Sequence, residues 1–176
     1  MERLKKRVIL AGKGASGKDH LRQMLVDAGL VYCVSHTTRP PRNGEVHGID
    51  YYFVSDDEAY SMIESCEFVE YTKFNGWIYG TSRGEFQKAD LFIMTPSGIK
   101  QLSRQDRGDS EVVLIDVQED VRRDRMCKRK DADDVERRLE ADRIDFENFV
   151  DYDHIIEDPY FEGVPEFLIK YKKKNV

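Results

Sequence analysis

The sequence predicts an α/β fold: a parallel sheet with helices on both faces, interrupted by a small β-rich insert. Three observations carry this. Short apolar runs at residues 7–11, 91–94, 111–117 and 154–156 alternate with amphipathic or charged stretches, the pattern of strands joined by crossover helices. A glycine-rich turn, Gly12-Lys13-Gly14-Ala15-Ser16-Gly17-Lys18, lies directly between the first run and a helical pattern. From about residue 35 to 81 the alternation fails and two β-like runs flank Asn75-Gly76, a strong hairpin signal.

Each element has its own warrant. Residues 7–11 read as a buried strand, and Leu21, Met24, Leu25 and Ala28 recur at helical spacing over 19–28, with Gly29 as the stop. Residues 31–35 read as a second short strand, and the Pro- and Gly-containing stretch 37–48 as loop. Residues 49–54 predict a strand. Ser55 with Glu58 is a capping box that opens a helix to about Ser65. Residues 68–73 and 77–81 form the hairpin, with Trp77 packing across it. After the strand at 91–94, residues 96–104 predict a helix and 111–117 a strand. A charged helical stretch covers 119–149, in two pieces broken near Asp131, where the acids Asp131, Asp133 and Asp134 suit a helix start. The strand at 154–156 and a helix over 165–172 close the order, followed by the basic run Lys172-Lys173-Lys174.

The glycine turn fits Gly-x4-Gly-Lys, a phosphate-wrapping loop of the P-loop NTPase type. Its glycines let the backbone come close to an anion, its N–H groups point inward, and the helix that follows adds its positive end. Lys18 supplies a mobile charge for the β- and γ-phosphates. Asp19 stands where a Ser or Thr usually offers a hydroxyl to Mg2+. A carboxylate is also a hard ligand for Mg2+, so Asp19 is the candidate metal residue.

Bulk composition narrows the classes. The 176 residues suit one domain, and 40% hydrophobic with 35% charged residues is a globular balance. The net charge is −6, so a nucleic-acid surface would work against the overall field. Cys33, Cys66 and Cys127 are odd in number and scattered, which fits a reducing compartment rather than a disulfide framework and predicts a cytoplasmic protein. His20, His36, His47 and His154 lack ligand spacing. The apolar run behind the basic start is too short for a membrane span. No nucleic-acid or membrane partner is expected, and a monomer or a homodimer is.

Ser35-His36-Thr37-Thr38-Arg39-Pro40-Pro41-Arg42 places two arginines three apart on a proline-stiffened loop, a fork suited to a dianionic phosphate. This run, continued through Asn43-Gly44-Glu45 to Tyr51, resembles the GMP-binding segment of guanylate kinases. The similarity extends through Phe68-Val69-Glu70-Tyr71 and Tyr79-Gly80-Thr81-Ser82. Together with the loop at 12–18 it covers roughly the first half of the chain. The resemblance implies ATP bound at Gly12, Lys13, Gly14, Ala15, Ser16, Gly17, Lys18 and Asp19. It implies Arg39, Arg42, Tyr51 and Tyr79 on the GMP phosphate, and Ser35, Glu70 and Thr81 facing the guanine. Guanine offers N1–H and N2–H2 as adjacent donors, which one carboxylate accepts together; adenine would leave Glu70 facing a lone pair.

The second half departs from the pattern. The family usually carries an acid at the end of the next strand, where this chain has Thr95 within Leu91-Phe92-Ile93-Met94-Thr95-Pro96-Ser97-Gly98. The lid that supplies arginines to the ATP phosphates resembles 122–129 and 137–139, about two residues short, with Arg125, Arg129 and Arg138 in the catalytic roles beside Lys18 and Arg39. Glu157 stands where an Asn is common. The implied layout is a core of about 1–34, 90–118 and 150–176, an acceptor insert of about 35–89 and a helical lid of about 119–149. The implied activity is Mg2+-dependent phosphoryl transfer from ATP to GMP or dGMP. A deoxynucleotide or broad-range monophosphate kinase, or a silent protein-binding module of the same fold, are the alternatives.

Overall fold

The computed structural model describes residues 7–74, 76–128, 134–163 and 165–169. β1 (Arg7–Gly12) is the centre of a parallel sheet, flanked by β6 (Leu91–Ile93) on one side and β7 (Ser110–Ile115) on the other, with β8 (His154–Ile156) beyond β7. Successive side chains of a strand alternate in direction, and the two cores follow that alternation. Ile9, Ala11, Phe92, Val112 and Leu114 pack with Phe86, Ile99 and Phe149 on one face. Val8, Leu10, Leu91, Val113 and Ile115 pack with Leu21, Leu25 and Leu168 on the other. Both faces of β1 are therefore dry, and Val8, Ile9, Leu10 and Ala11 are fully buried.

α1 (Lys18–Asp27) lies against the second core through Leu21 and Leu25. It ends as the sequence predicts. Gly29 adopts φ 95°, its N–H donates to Val26 O at 2.8 Å and that of Leu30 to Leu25 O at 3.0 Å, the paired bonds of a Schellman stop. In α2 (Asp56–Glu64) the Ser55–Glu58 capping box is present in both directions. α6 (Glu119–Lys128) and α7 (Val135–Phe146) are the two pieces expected in 119–149. Asp134 caps α7 by accepting from the N–H groups of Glu136 and Arg137, whereas Asp131 and Asp133 lie outside the described residues, as does the Lys172-Lys173-Lys174 run.

The insert is a second sheet of β2 (His36–Thr37), β3 (Tyr52–Phe53), β4 (Phe68–Phe74) and β5 (Trp77–Ser82), in the order β3-β2-β5-β4. Its hairpin runs antiparallel as the Asn75-Gly76 signal predicts, although Asn75 itself is outside the described residues. β2 and β3 pair parallel, a correction to an all-antiparallel insert: the long loop between them returns the chain to the same end before β3 begins.

Other expectations shift. Residues 31–35 make a single bridge, Tyr32 to Leu91, rather than a strand, and only Tyr52–Phe53 of 49–54 is ladder. The helix expected over 96–104 is two, α4 (Pro96–Ile99) and α5 (Arg104–Gly108). Gln101 and Leu102 donate back only three residues, and Ser103 then caps a fresh start by accepting from the Asp106 N–H. α3 (Arg83–Lys88) was not read from the sequence, yet Ser82 caps it and Ser82-x-x-Glu85 has the capping-box spacing. α8 (Glu166–Ile169) is the described part of the last predicted helix.

Candidate active site

The loop joining β1 to α1 has the geometry of a phosphate cradle. Gly17 sits at φ 106° as the N-cap of α1, a conformation open to glycine and strained for other residues. It turns the chain so that α1 starts at the end of the central strand and presents its positive end there. The Lys18 ammonium curls back, donating to Gly12 O at 2.6 Å and Lys13 O at 2.9 Å. It is thus held over the loop it is expected to serve. Ser16 is fully buried and its hydroxyl has no hydrogen-bond partner among the described residues. A cavity of about 390 Å3 is lined by residues 14–20 together with Arg125, Pro159 and Phe161.

Two of the expected lid arginines are described. Arg125, on α6, donates to Ala15 O at 3.0 Å and to Pro159 O, with its guanidinium 5.7 Å from the Tyr160 ring. Arg138 lies half-buried on α7. Arg129 lies outside the described residues.

Asp19 occupies the first turn of α1 with its side chain three-quarters exposed, and Arg22 Nε stands 3.8 Å from its carboxylate. Mg2+ usually keeps several waters and takes one or two carboxylates plus substrate phosphates. One exposed carboxylate at a phosphate cradle fits that donor set. Among the described residues no cluster of three His, Cys, Asp or Glu that could hold a metal ion is present.

On the insert, the structure gathers three of the residues expected at the acceptor phosphate. The Arg39 guanidinium lies 5.5 Å from the Tyr51 ring, and Tyr51 meets Tyr79 edge-on with centroids 6.1 Å apart. Burial pushes the Tyr51 hydroxyl pKa up; Tyr79 adds to this, and the Asp19 carboxylate also contributes. Arg42 is exposed beside this cluster.

Glu45 organises this corner, and the sequence reading gave it no role. Its two oxygens take Arg39 Nη1 and Nη2 at 2.9 Å each, and one also accepts the Arg42 N–H at 2.7 Å. The Arg39 hydrogen bond holds the Glu45 carboxyl below the usual carboxylate range. Its signal was present in the Arg-Pro-Pro-Arg-x-Gly-Glu spacing.

Deeper in the insert, Glu70 is 6% exposed and accepts the Thr81 hydroxyl at 2.6 Å on Oε1. Its Oε2 points at Gly98, where a Cβ would stand only 2.6 Å away. Burial raises the Glu70 pKa and the bonds from Thr81 oppose that rise. Ser35 is half-buried, and its carbonyl accepts the Tyr52 N–H that starts β3. Thr95 caps α4 by accepting from Gly98 N–H at 3.1 Å and shares a hydrogen bond with Ser97. The strand end that resembles the family's acidic position thus presents hydroxyls beside a buried carboxyl.

Arg122 and Asp142 also reach the phosphate loop, and neither was singled out from sequence as a site residue. Their only sequence signal is helical spacing: Arg122 falls four residues before Met126, on the buried face of α6.

Comparison with known proteins bears on the family and the fold. A sequence model of the guanylate kinase family matches residues 4–171. The guanylate kinase of Geobacter metallireducens is 34% identical over 170 residues, spanning 91% of this chain and 84% of that protein. That of Escherichia coli O157:H7 is 31% identical over 166 residues, spanning 88% and 80%. The crystal structure of the Anaplasma phagocytophilum guanylate kinase superposes with a TM-score of 0.69 over 96% of this chain and 84% of that one, at 20% identity, and so shares the fold. A glycine loop on the central strand, an arginine–tyrosine cluster and a buried glutamate on the insert, and a family match across nearly the whole sequence lead to one assignment: the chain belongs to the guanylate kinase family.

Proposed function

We propose that the protein transfers the γ-phosphoryl group of ATP to GMP or dGMP, releasing ADP and the nucleoside diphosphate. The observation that carries the acceptor is the buried Glu70 carboxyl, positioned by Thr81 with its second oxygen on the Gly98 side. A carboxylate oxygen has two lone pairs, so the bond from Thr81 leaves capacity for guanine N1–H and N2–H2. A base that offers no donor there leaves a buried carboxylate unpaired, which costs about 1–3 kcal/mol or more for a charged group.

The residues divide the work in this reading. The N–H groups of the cradle and the Lys18 ammonium hold the donor phosphates. Arg39, with Arg42, Tyr51 and Tyr79, holds the acceptor phosphate, whose oxygens are already anionic near neutral pH and need no general base. Arg125 and Arg138 draw charge from the transferring group as the helices around the cradle exclude water. Asp19 would hold Mg2+, which supplies charge neutralisation on the donor phosphates when bound. Catalysis is then alignment plus electrostatic stabilisation.

The Thr95 and Ser97 hydroxyls, where the family pattern has an acid, favour a second reading in which the acceptor range is wider. Both readings place the enzyme among free nucleotides in the cytoplasm, and no described helix is long and apolar enough to cross a membrane. The test is ADP and diphosphate formation from ATP with GMP, dGMP, AMP, CMP and dTMP in turn. Turnover with GMP and dGMP alone supports the narrow reading, and comparable turnover with AMP supports the wide one. No turnover with any acceptor overturns the kinase assignment in favour of a silent module.

A further inference from the structure

We propose that Arg122 and Asp142 form a clasp that positions the phosphate loop against the helices carrying Arg125 and Arg138. The proposal rests on the reading of residues 12–19 as the donor cradle.

The clasp holds Gly14 at both ends. Its N–H donates to both oxygens of Asp142, each at 3.0 Å, and its carbonyl accepts from Arg122 Nη1 at 3.3 Å. The same Nη1 donates to Asp142 Oδ2 at 2.7 Å, and Arg122 Nε is fixed by Val117 O at 3.1 Å. Arg122 is only 1% exposed, the largest fully buried side chain among the described residues. The approach is close: a Cβ on Gly14 would stand 2.7 Å from Met126 Cε, the flexible end of that side chain, and 3.3 Å from Asp142 Oδ2, so the carboxylate would have to give by a few tenths of an ångström.

A buried ion pair is a poor route to stability, because apolar side chains of similar volume often do as well or better. What this pair does that apolar groups would not is hold a backbone N–H and a backbone carbonyl together. It also delivers the acceptor without net charge: a lone carboxylate beside a nucleotide polyanion would repel it, and Arg122 cancels that field.

The clasp fixes more than the loop. Asp142 falls four residues after Arg138 on α7, so the two share a helix face. Arg122 falls three residues before Arg125 on α6, and Arg125 grips the next loop residue through Ala15 O. The ion pair therefore sets the registry between the cradle and both arginines expected at the donor phosphates. Asp142 and Arg122 are positioning residues acting through Gly14.

The test measures ADP affinity by calorimetry, melting temperature, and steady-state kinetics for wild type, Asp142→Ala and the double variant Arg122→Leu/Asp142→Ala. Asp142→Ala is expected to weaken ADP binding and lower kcat by about 10- to 100-fold, the usual scale for a small misplacement of reacting groups, with KM for GMP unchanged. The double variant removes the charge together with its partner and is expected to melt close to wild type while keeping the weak ADP binding and low kcat. A double variant that recovers both melting temperature and ADP affinity overturns the proposal, since the pair would then serve the fold alone. So does an Asp142→Ala protein with wild-type ADP affinity and kcat. Amide exchange in unliganded wild type needs no variant: the Gly14 N–H should exchange much more slowly than that of Ala15, and equal rates overturn the clasp. The ADP and exchange arms read the donor loop alone, so they decide the clasp even if GMP is not the acceptor. A wild type that binds no ADP removes the donor-site reading and the clasp with it.

Discussion

Thr81 donates its hydroxyl to Glu70 at 2.6 Å inside the insert, and this bond is the main specific support for a carboxyl that burial otherwise disfavours in its charged form. The sign of the pH dependence follows. Burial raises the folded pKa of Glu70 above its unfolded value, so its contribution to stability is fully present below the ordinary carboxylate pKa and is lost as pH rises through the raised value. Glu70→Gln, which carries no charge, should therefore melt progressively higher relative to wild type as pH rises from the ordinary carboxylate range through the raised Glu70 value. Parallel melting curves across that range would show that Glu70 is not held in its neutral form.

The same bond gives a kinetic prediction with the opposite pH sense. Guanine N1–H and N2–H2 require the ionised carboxylate, so KM for GMP should rise as pH falls through the raised Glu70 pKa. KM for ATP, set at the other loop, should stay flat over that interval. A matching rise in both would place the titrating group elsewhere.

Gly98 leaves the space that Glu70 Oε2 uses, and a methyl there would lie 2.6 Å from that oxygen. Gly98→Ala must displace the carboxylate or shift α4. Displacement unpairs a buried polar group, at a cost of about 1–3 kcal/mol, which corresponds to a rise in KM for GMP of about 5-fold to about 150-fold. Steady-state kinetics with ATP held saturating checks it, and an unchanged KM for GMP would show that Glu70 does not face the base.

Arg39 is held by Glu45 through two parallel bonds of 2.9 Å. Lysine keeps the charge but lacks the planar fork, so it cannot span both oxygens. Arg39→Lys should raise KM for GMP by about 10-fold or more while leaving ADP affinity intact. Glu45→Gln should act in the same direction, because its amide presents only one acceptor to the fork. Wild-type kinetics in both variants would separate this corner from the acceptor phosphate.

What the sequence made legible was local. The 12–18 glycine loop, the Ser55–Glu58 box, the antiparallel pairing of 68–74 with 77–82 and the Gly29 stop each depend on neighbours within a few residues, and each appears where its pattern stands. The arginine–tyrosine cluster was legible only through a family resemblance, since no spacing rule brings residue 39 to residue 79. Pairings across large separations were not legible. Asp142 lies 128 residues from Gly14, and on α7 it reads as one more acid on a charged helix. Gly98 looks like an ordinary glycine in a short helix until β4 packs Glu70 against it. The split of 96–104 into α4 and α5 was hidden because nothing in 99–102 is a strong helix stop; α4 ends where Gln101 and Leu102 donate back three residues, and Ser103 then caps a new start.

Asp19 gives the last prediction. Its carboxylate stands at the cradle with Arg22 3.8 Å away, and like charge beside a nucleotide's phosphates is repulsive until a cation lies between them. Metal-free ADP should therefore bind wild type more weakly than it binds Asp19→Ser, whose hydroxyl carries no charge. Saturating Mg2+ should reverse much of that difference, because a carboxylate is a good hard ligand for the ion. The ratio of ADP dissociation constants without and with Mg2+ should be larger in wild type, by about tenfold. Calorimetric titration in the presence and absence of a chelator measures both constants without relying on turnover. Equal ratios in the two proteins would mean that Asp19 neither repels the phosphates nor meets the metal, and that Arg22 alone settles its charge.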